Sequence, residues 1–386
     1  MTFFSHPFWS VGFRPFFSLA CLSGMALPLF WALMYSGEMA LPQQAFSTVQ
    51  WHAHEMFFGF GWAVLGGFLL TASKNWVQIR GYHGAALALL TLAWLVERIA
   101  MWFGGSWPAP LFLLCVNAFL GTIVAMLVWT LVRHHRQDTY KDNIFFMVVL
   151  PLFALAKYWM LQPAHFHVGV SMTLGLFRMA FLLMLERTLT QFMKAVFQVD
   201  ILRHPVLDNA IKGLGLGLVF ESLLPTAVME GGAIVLAALL LFRLCFWHPF
   251  KGLRRIDIGV MYLGYVAIVI QLLLLAAQGM GMMPWVGSMP VHVFTFGAMG
   301  LIIPAMLIRI AKGHTGRKVM FDAADRAVLW IMIAGFVFRI VAPQLGPERY
   351  PAWVDLAAAC WLACFAILAW RYVPFLIRPR VDGKEH

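Results

Sequence analysis

The sequence predicts an all-α integral membrane protein, a polytopic bundle of about twelve transmembrane helices. Hydrophobic residues make up 62% of the 386 residues and charged residues only 12%, about half of the charged share of a soluble domain. Nearly the whole chain divides into apolar runs of about 20 residues, the length of a helix that crosses a bilayer. The gaps between these runs are too short for a soluble domain, so we expect a single transmembrane domain over residues 1–386.

Twelve apolar runs define the predicted spans, in chain order, and a short polar segment separates each from the next. They cover residues 16–36, 51–73, 84–103, 110–132, 144–161, 168–190, 211–229, 231–247, 258–279, 288–311, 326–343 and 352–373.

Basic residues alternate between successive loops and predict the orientation. Lys and Arg follow the second, fourth, sixth, eighth, tenth and twelfth spans, whereas the loops at 37–50, 104–109, 162–167 and 279–287 contain neither. Only Arg349 breaks this alternation. Because cytoplasmic loops are enriched in Lys and Arg, both termini are predicted to be cytoplasmic. The net charge of +11 is then explained by the loops and does not indicate a nucleic-acid partner; no cleavable signal peptide is expected at the N-terminus.

Ionisable side chains inside the spans predict a polar site in the outer half of the bundle. A buried charge in hydrocarbon costs at least about 2.5 kcal/mol, so such residues mark a functional interior. Arg178 and Glu221 map near the midplane. The side chains that map to the outer half are His52, His54, Glu55, Glu97, Arg98, Lys157, His292 and Arg339.

The stretch WHAHE, Trp51 to Glu55, opens the second span. On a helix, His52 and Glu55 share a face, whereas His52 and His54 point about 200° apart. Either the two imidazoles serve two nearby centres, or His52 precedes the helix and His54 is the ligand. Imidazole is a usual ligand of haem iron and copper. The alternative is a hydrogen-bonded anchor at the membrane interface.

Three further groups of residues also have alternative interpretations. His165 and His167, in the outer loop PAHFH, are either metal ligands or interfacial anchors. Glu97–Arg98 and Arg339 form either a structural ion pair or a clamp for haem propionates. KGHTGRKV, Lys312 to Val319, lacks the strand–loop–helix context of a phosphate-binding loop and is interpreted as a basic turn at the cytoplasmic interface, pinned by a lipid phosphate or a carboxylate.

Several motifs resemble the NnrS family, in order and over most of the chain. They are GFRPFF (12–17), WHAHEMFFGF (51–60), GGFLLTASKNW (66–76), HVFTFGAMGL (292–301) and RIAKGHTGR (309–317). The resemblance implies a bacterial inner-membrane protein that contains haem, of b type, and copper, and that is associated with denitrification and resistance to nitric oxide. The positions that match the family are His52, His54, Glu55, His292, His314 and Arg317.

Two stretches depart from the family's pattern. Met261–Tyr262 stands where the family commonly has a Leu-His pair, and LERTLTQF, ending at Phe192, keeps Arg187 but lacks the usual proline. If the histidine at this position is a metal ligand in other members of the family, this chain is expected to differ from them in the metals that it binds.

The depth of the polar residues in the predicted spans, together with the resemblance, suggests metal and cofactor roles for particular residues. We expect His54 and His292 to ligate haem iron, and His52, with Glu55 nearby, to belong to the same site or to an adjacent copper. His165 and His167 are further candidate ligands, and His314 and Arg317 form a cytoplasmic motif of unassigned role. The residues expected to contact propionates or to support ligands are Arg14, Glu55, Arg98, Lys157 and Arg339.

Three functions follow as alternatives. The first is a haem and copper oxidoreductase that binds or consumes nitric oxide, with electrons from a quinol or a periplasmic donor. The second is a non-catalytic haem-bearing sensor or protective protein. The third is a twelve-helix transporter or metal permease; transporters commonly contain broken helices near the midplane and an inverted repeat, and the sequence predicts neither.

The predicted orientation is tested by fusing a reporter after residue 386. Because the basic loops place the C-terminus in the cytoplasm, a reporter that is active only in the cytoplasm is expected to be active and a periplasmic reporter inactive. The reverse pattern would show that the orientation is wrong.

Overall fold

The computed structural model describes residues 3–42 and 45–384, and within this part of the chain it contains helices and turns but no strand. Residues 1–2, 43–44 and 385–386 lie outside the described residues. Eleven helical segments there are long and apolar enough to cross a membrane. The predicted all-α, multi-pass class is therefore confirmed.

Sixteen α-helices are present among the described residues, numbered here in chain order. They are α1 Phe13–Tyr35, α2 Thr48–His54, α3 Trp62–Trp76, α4 Ala85–Phe103, α5 Ala109–Arg133, α6 Ile144–Leu161, α7 Phe166–Phe197, α8 Pro205–Gly217, α9 Thr226–Cys245, α10 Pro249–Gly252, α11 Ile256–Gly279, α12 Met289–His292, α13 Leu301–His314, α14 Ala323–Phe336, α15 Ala342–Leu345 and α16 Tyr350–Ile377.

Three spans contain a π-helical segment, in which the backbone turn is wider than in an α-helix. These segments join α2 to α3, α12 to α13, and α14 to α15; they are Glu55–Gly61, Val293–Gly300 and Val337–Val341. The first begins directly after His54, the second directly after His292, and the third contains Arg339. All three therefore coincide with predicted site residues.

The seventh predicted span, 211–229, differs from the structure. Helix α8 ends at Gly217, a 3-10 segment follows at Leu218–Leu223, and Pro225 precedes α9. The stretch is thus an interrupted helix, although no broken helix was predicted. The backbone is non-helical at Phe220 within the 3-10 segment, and this stretch is not among the eleven apolar segments counted above. The end of the predicted span, from Thr226, belongs to α9.

The chain divides into two compact units. Unit 1 comprises residues 1–169, 307–320 and 365–386, and unit 2 comprises residues 170–306 and 321–364. In unit 1, α1 lies close to α3: a Cβ at Gly12 would lie 2.5 Å from Cβ of Leu70, and one at Gly67 would lie 2.7 Å from Cβ of Phe16. In unit 2, Ala267, Val293 and Ile340 form a buried apolar cluster. Small residues thus allow close helix contacts, as is common in membranes.

Two glycines test this packing. A Cβ at Gly169 in α7 would collide with the backbone of Met160 and Ala156 in α6, whereas a Cβ at Gly121 in α5 would have no atom within 4 Å among the described residues. We expect Gly169→Ala to lower the stability by about 1–3 kcal/mol through overpacking. Gly121→Ala is expected to be neutral or to stabilise by up to about 1 kcal/mol.

The measurement is the unfolding temperature of each variant in detergent. Equal unfolding temperatures for the two variants would contradict the packing of α6 against α7.

Candidate functional site

The helix that carries the WHAHE motif begins at Thr48. Ser47 and Gln50 form a capping box: the Ser47 hydroxyl accepts from the Gln50 backbone, and the Gln50 side chain accepts from the Ser47 backbone. His52 and His54 are therefore both helical, and the alternative in which His52 precedes the helix is wrong. Their rings separate as expected for a helix. His52 stacks on Trp31, with centroids 4.0 Å apart and planes at 20°.

The imidazole of His54 is fully buried and lies between two carboxylates. Its Nδ1 lies 3.0 Å from Oε1 of Glu55, and its Nε2 lies 3.4 Å from Oε1 of Glu97. Among the described residues, Nε2 has no hydrogen-bond partner. Because an ionised carboxylate accepts but does not donate, the Nδ1–H tautomer donates to Glu55 and leaves the lone pair on Nε2. The helical spacing predicts that Glu55 lies on the same face as His52. In the structure, the π turn that begins at Glu55 directs its carboxylate to His54 instead.

Glu97 joins three helices through one oxygen atom. Its Oε1 lies 2.5 Å from Nζ of Lys157 in α6 and 2.7 Å from Nη2 of Arg98, in addition to the contact with His54 in α2. Lys157 also donates to the carbonyl of Val116. With a neutral imidazole, the charges of Glu55, Glu97, Arg98 and Lys157 sum to zero. Charge balance of this kind is required because an uncompensated ion in the membrane interior is costly.

Gly59 provides the space for the Arg98 guanidinium. A Cβ at Gly59 would collide with Nη1 of Arg98. One turn earlier in α4, the indole of Trp94 donates to the Gly59 carbonyl at 3.0 Å, and the guanidinium of Arg98 lies 5.2 Å from its ring centroid. The π-helical segment therefore forms one wall of the charged cluster, and this glycine of the motif has a steric role.

His292 lies in unit 2 with a different set of partners. Its Nδ1 is 3.0 Å from the carbonyl oxygen of Ser288, and Nη2 of Arg339 lies 3.3 Å from its Nε2. The other guanidinium nitrogen of Arg339 donates to the hydroxyl of Tyr350 at 3.0 Å. Arg339 is 8% exposed, and no described carboxylate forms an ion pair with it. It thus differs from Arg98 and Lys157, whose charge Glu97 balances.

The GFRPFF and KGHTGR motifs meet the C-terminal segment within unit 1. The ring of Phe13 lies 5.3 Å from that of His314, and the guanidinium carbon of Arg317 lies 3.8 Å from the ring centroid of Phe375. Arg14 is buried and donates to the carbonyls of Leu376 and Arg378. These contacts position the end of α16.

The turn at Gly316 is closed by a carboxylate of the same chain. Gly316 has φ of +80°, and a Cβ there would lie 2.7 Å from Cγ of Asp382. Arg380 donates to the His314 carbonyl at 3.1 Å and binds both oxygens of Asp382. These hydrogen bonds hold the pKa of the Asp382 carboxyl well below its usual range. Partial burial and the neighbouring Arg378 lower the pKa of Arg317.

His165 and His167 are exposed at the start of α7. Their side chains form no hydrogen bond or ion pair with any residue that the structure describes. The structure therefore leaves them apart from the charged cluster of unit 1.

Unit 2 contains two buried charged networks, whose pairings the sequence did not indicate. In the first, Arg178 binds Glu221 at 3.1 Å, Gln271 at 2.8 Å and the Leu218 carbonyl at 3.1 Å, where the helix is interrupted. Ser171 donates to the other Glu221 oxygen at 2.7 Å. The sequence places Arg178 and Glu221 near the midplane. The structure pairs them with each other.

The second network surrounds Glu186 and Asp208. Arg243 is fully buried and contacts both carboxylates, at 3.0 and 3.3 Å, while Arg203 and Lys212 also bind Glu186. The sequence does not single out these charges, although Glu186 lies within the stretch LERTLTQF that departs from the family's pattern. Networks of this kind join charged residues near the ends of different spans. A single sequence contains no pattern that predicts which of these residues meet.

Tyr262, which stands where the family commonly has histidine, fills a structural position. Its hydroxyl donates to the Trp247 carbonyl, and a Cβ at Gly252 would collide with its ring. The side chain is 1% exposed.

The donor atoms fit haem iron better than a copper ion held by the protein alone. Within residues 3–42 and 45–384, no group of three or more His, Cys, Asp or Glu side chains is arranged to hold a metal ion. Haem iron needs only one or two protein ligands. His54 meets the requirement, since a ligating imidazole commonly donates its other N–H to a carboxylate. His292 differs: its Nδ1 also lies beside a carbonyl oxygen, but its Nε2 lies 3.3 Å from Nη2 of Arg339.

Comparison with known families gives a match over nearly the whole chain. The model of the family described as NnrS protein matches residues 7–380. No curated protein matches the chain significantly.

The shared role of Glu97 predicts the effect of neutralising it. Glu97→Gln leaves Lys157 and Arg98 with only Glu55 as counter-ion, and we expect a loss of about 3–5 kcal/mol in unfolding free energy. Glu97→Gln/Lys157→Met is expected to recover part of this loss because it removes one uncompensated charge.

The measurement is denaturant unfolding in detergent, with the exposed Glu348→Gln as the control, expected to change stability by less than about 0.5 kcal/mol. A Glu97→Gln effect as small as that of the control would show that the ion pairs do not stabilise unit 1.

Proposed function

Because the chain belongs to the NnrS protein family, we propose that it is a haem-binding protein of the bacterial inner membrane that acts in the response to nitric oxide. The resemblance and the family supply the link to nitrosative stress. The observation in the structure that supports haem is the arrangement of His54: a buried imidazole with Nδ1 bonded to Glu55 and Nε2 without a hydrogen-bond partner among the described residues. This is the arrangement of a ligand whose second nitrogen is available for a metal.

His54 in unit 1 and His292 in unit 2 are each a candidate ligand of haem iron. Each lies at the start of a π-helical segment, a deformation that is frequent at functional sites, and each has Nδ1 bonded to an acceptor. Arg339, beside His292 and without a described counter-ion, is suited to bind an anionic propionate. Bound haem would supply an iron that binds nitric oxide and transfers electrons.

The chain's own residues would contribute orientation, charge balance and exclusion of water. Glu55 orients His54, and the charges of Glu55 and Glu97 together balance those of Lys157 and Arg98. His54, Glu55, Glu97 and Lys157 are each no more than 2% exposed. A small uncharged gas enters such a site from the bilayer, whereas a charged substrate would be excluded.

Reductive consumption of nitric oxide needs electrons, for which a quinol or a periplasmic protein is the proposed donor. Without a donor, the same site serves as a sensor or as a protective sink for nitric oxide. A turnover assay distinguishes these roles: nitric oxide consumption by purified protein with a reduced quinol supports an oxidoreductase, and stoichiometric binding without turnover supports the non-catalytic role.

Transport is a second candidate function, and one observation favours it. The interrupted helix between α8 and α9 carries Glu221, and interrupted helices hold substrates in many transporters. Here, however, Arg178 binds Glu221 and the Leu218 carbonyl, and Ser171 binds the remaining Glu221 oxygen. The polar groups of this interruption are therefore engaged within the protein, which favours the haem proposal.

The haem proposal is tested by the optical spectrum and haem stoichiometry of purified variants. We expect His54→Ala and His292→Ala to abolish or markedly shift the haem spectrum, because each removes an imidazole assigned to iron. Arg339→Gln is expected to lower haem retention, because it removes a cation suited to bind a propionate.

The exposed His204→Ala is the matched control and is expected to retain the spectrum of the unaltered protein. Size-exclusion profiles of all variants establish that they are folded. Folded His54→Ala and His292→Ala proteins with unaltered spectra and stoichiometry would show that neither histidine binds the iron.

A further inference from the structure

A cavity of about 330 Å³ lies in unit 1 where α3 and α5 end and α4 begins. Its charged and aromatic lining comprises Lys74, Arg80, Tyr82, His83, Trp129 and His134. The predicted orientation places these helix ends at the cytoplasmic surface. None of these residues belongs to the charged cluster around Glu97.

The cavity concentrates basic groups without acidic ones. No Asp or Glu lines it, and among the described residues neither Lys74 nor Arg80 has an ion-pair partner. Lys74 is also repelled by Arg80 and Arg380. Cations that face one cavity without a counter-ion create a positive potential that attracts an anion.

The walls of the cavity are preformed by contacts within the protein. Gly81 packs on the stem of Lys74, since a Cβ at Gly81 would lie 3.0 Å from Cδ of the lysine. The hydroxyl of Tyr82 donates to the Met126 carbonyl at 3.1 Å and lies 3.2 Å from the hydroxyl of Thr130. A ligand would therefore enter a formed pocket instead of ordering a loop.

Trp129 gives the cavity an apolar border toward the membrane. Its side chain is 65% exposed, and tryptophans at span ends lie at the level of lipid headgroups. Lys, Arg and His donors are suited to phosphate oxygens, and basic pockets between transmembrane helices at the cytoplasmic surface bind anionic headgroups. We propose that this cavity binds the phosphate of an anionic phospholipid, with Lys74 and Arg80 as the principal charged contacts.

The test uses the full-length protein in detergent, titrated with phosphatidylglycerol and followed by native mass spectrometry and unfolding temperature. We expect tighter binding and greater stabilisation by phosphatidylglycerol than by phosphatidylcholine. Lys74→Gln/Arg80→Gln is expected to weaken phosphatidylglycerol binding by about 10-fold or more, because two cations next to the membrane surface are lost.

Lys251→Gln/Arg254→Gln, an equal charge change in an exposed cytoplasmic loop of unit 2, is the matched control. It is expected to retain the affinity of the unaltered protein. Equal weakening in both double variants, or no preference for phosphatidylglycerol over phosphatidylcholine, would overturn the proposal. If Lys74→Gln/Arg80→Gln does not fold, the single variant Arg80→Gln replaces it, since Arg80 is exposed. Arg80→Gln must then weaken phosphatidylglycerol binding more than Arg254→Gln alone.

Two further titrations separate a lipid from a soluble phosphate. Glycerol 3-phosphate and inorganic phosphate carry the same anionic group without acyl chains. We expect both to compete only at concentrations far above those of the lipid. Competition at equal concentration would assign the cavity to a soluble phosphate compound and overturn the lipid assignment.

Discussion

The buried carboxylate of Glu97 is the interaction on which unit 1 depends. One of its oxygens lies within 3.4 Å of Lys157, Arg98 and His54, and these groups come from three helices. In a medium that cannot solvate ions, each cation is tolerated only because this carboxylate is present. The packing of α2, α4 and α6 and the orientation of the His54 ring are therefore determined together. The position of this buried imidazole is in this sense a by-product of charge balance.

Most of the fold could be predicted from composition because the bilayer permits few solutions. Backbone groups in hydrocarbon must be bonded within the chain, so apolar runs of the right length become helices. The prediction failed at residues 211–229, where the run is apolar enough but the chain leaves α geometry after Gly217. The interruption leaves the carbonyl of Leu218 without a partner in the helix, and the Arg178 side chain donates a hydrogen bond to it. That compensation comes from a distant helix, so hydropathy within the run could not reveal it.

The charged members of the candidate site were predictable, and so was the ion pair of Glu97 with Arg98, but the pairings of Lys157 with Glu97 and of His54 with Glu55 were not. Glu97, Arg98 and Lys157 stand out because charges are rare within spans. Which side chains form ion pairs depends on the rotation of each helix about its axis and on which helices are neighbours. A single sequence predicts neither of these. Glu186 and Arg243 were missed for a related reason: they lie near span ends, where charged residues are ordinary. Only the packing of three helices shows that their ion pair is buried.

The π-helical segments have a consequence for how the chain tolerates changes in length. A π-bulge accommodates one residue more than the regular helix around it. Deleting a single residue from Glu55–Gly61 would therefore allow the span to become a continuous α-helix while the later side chains keep about their present directions. Gly67 would still face Phe16, whereas the same deletion within α3 would rotate every later side chain by about 100°. The π-helical segment is thus the part of this span in which the loss of one residue leaves the packing of α3 against α1 in place.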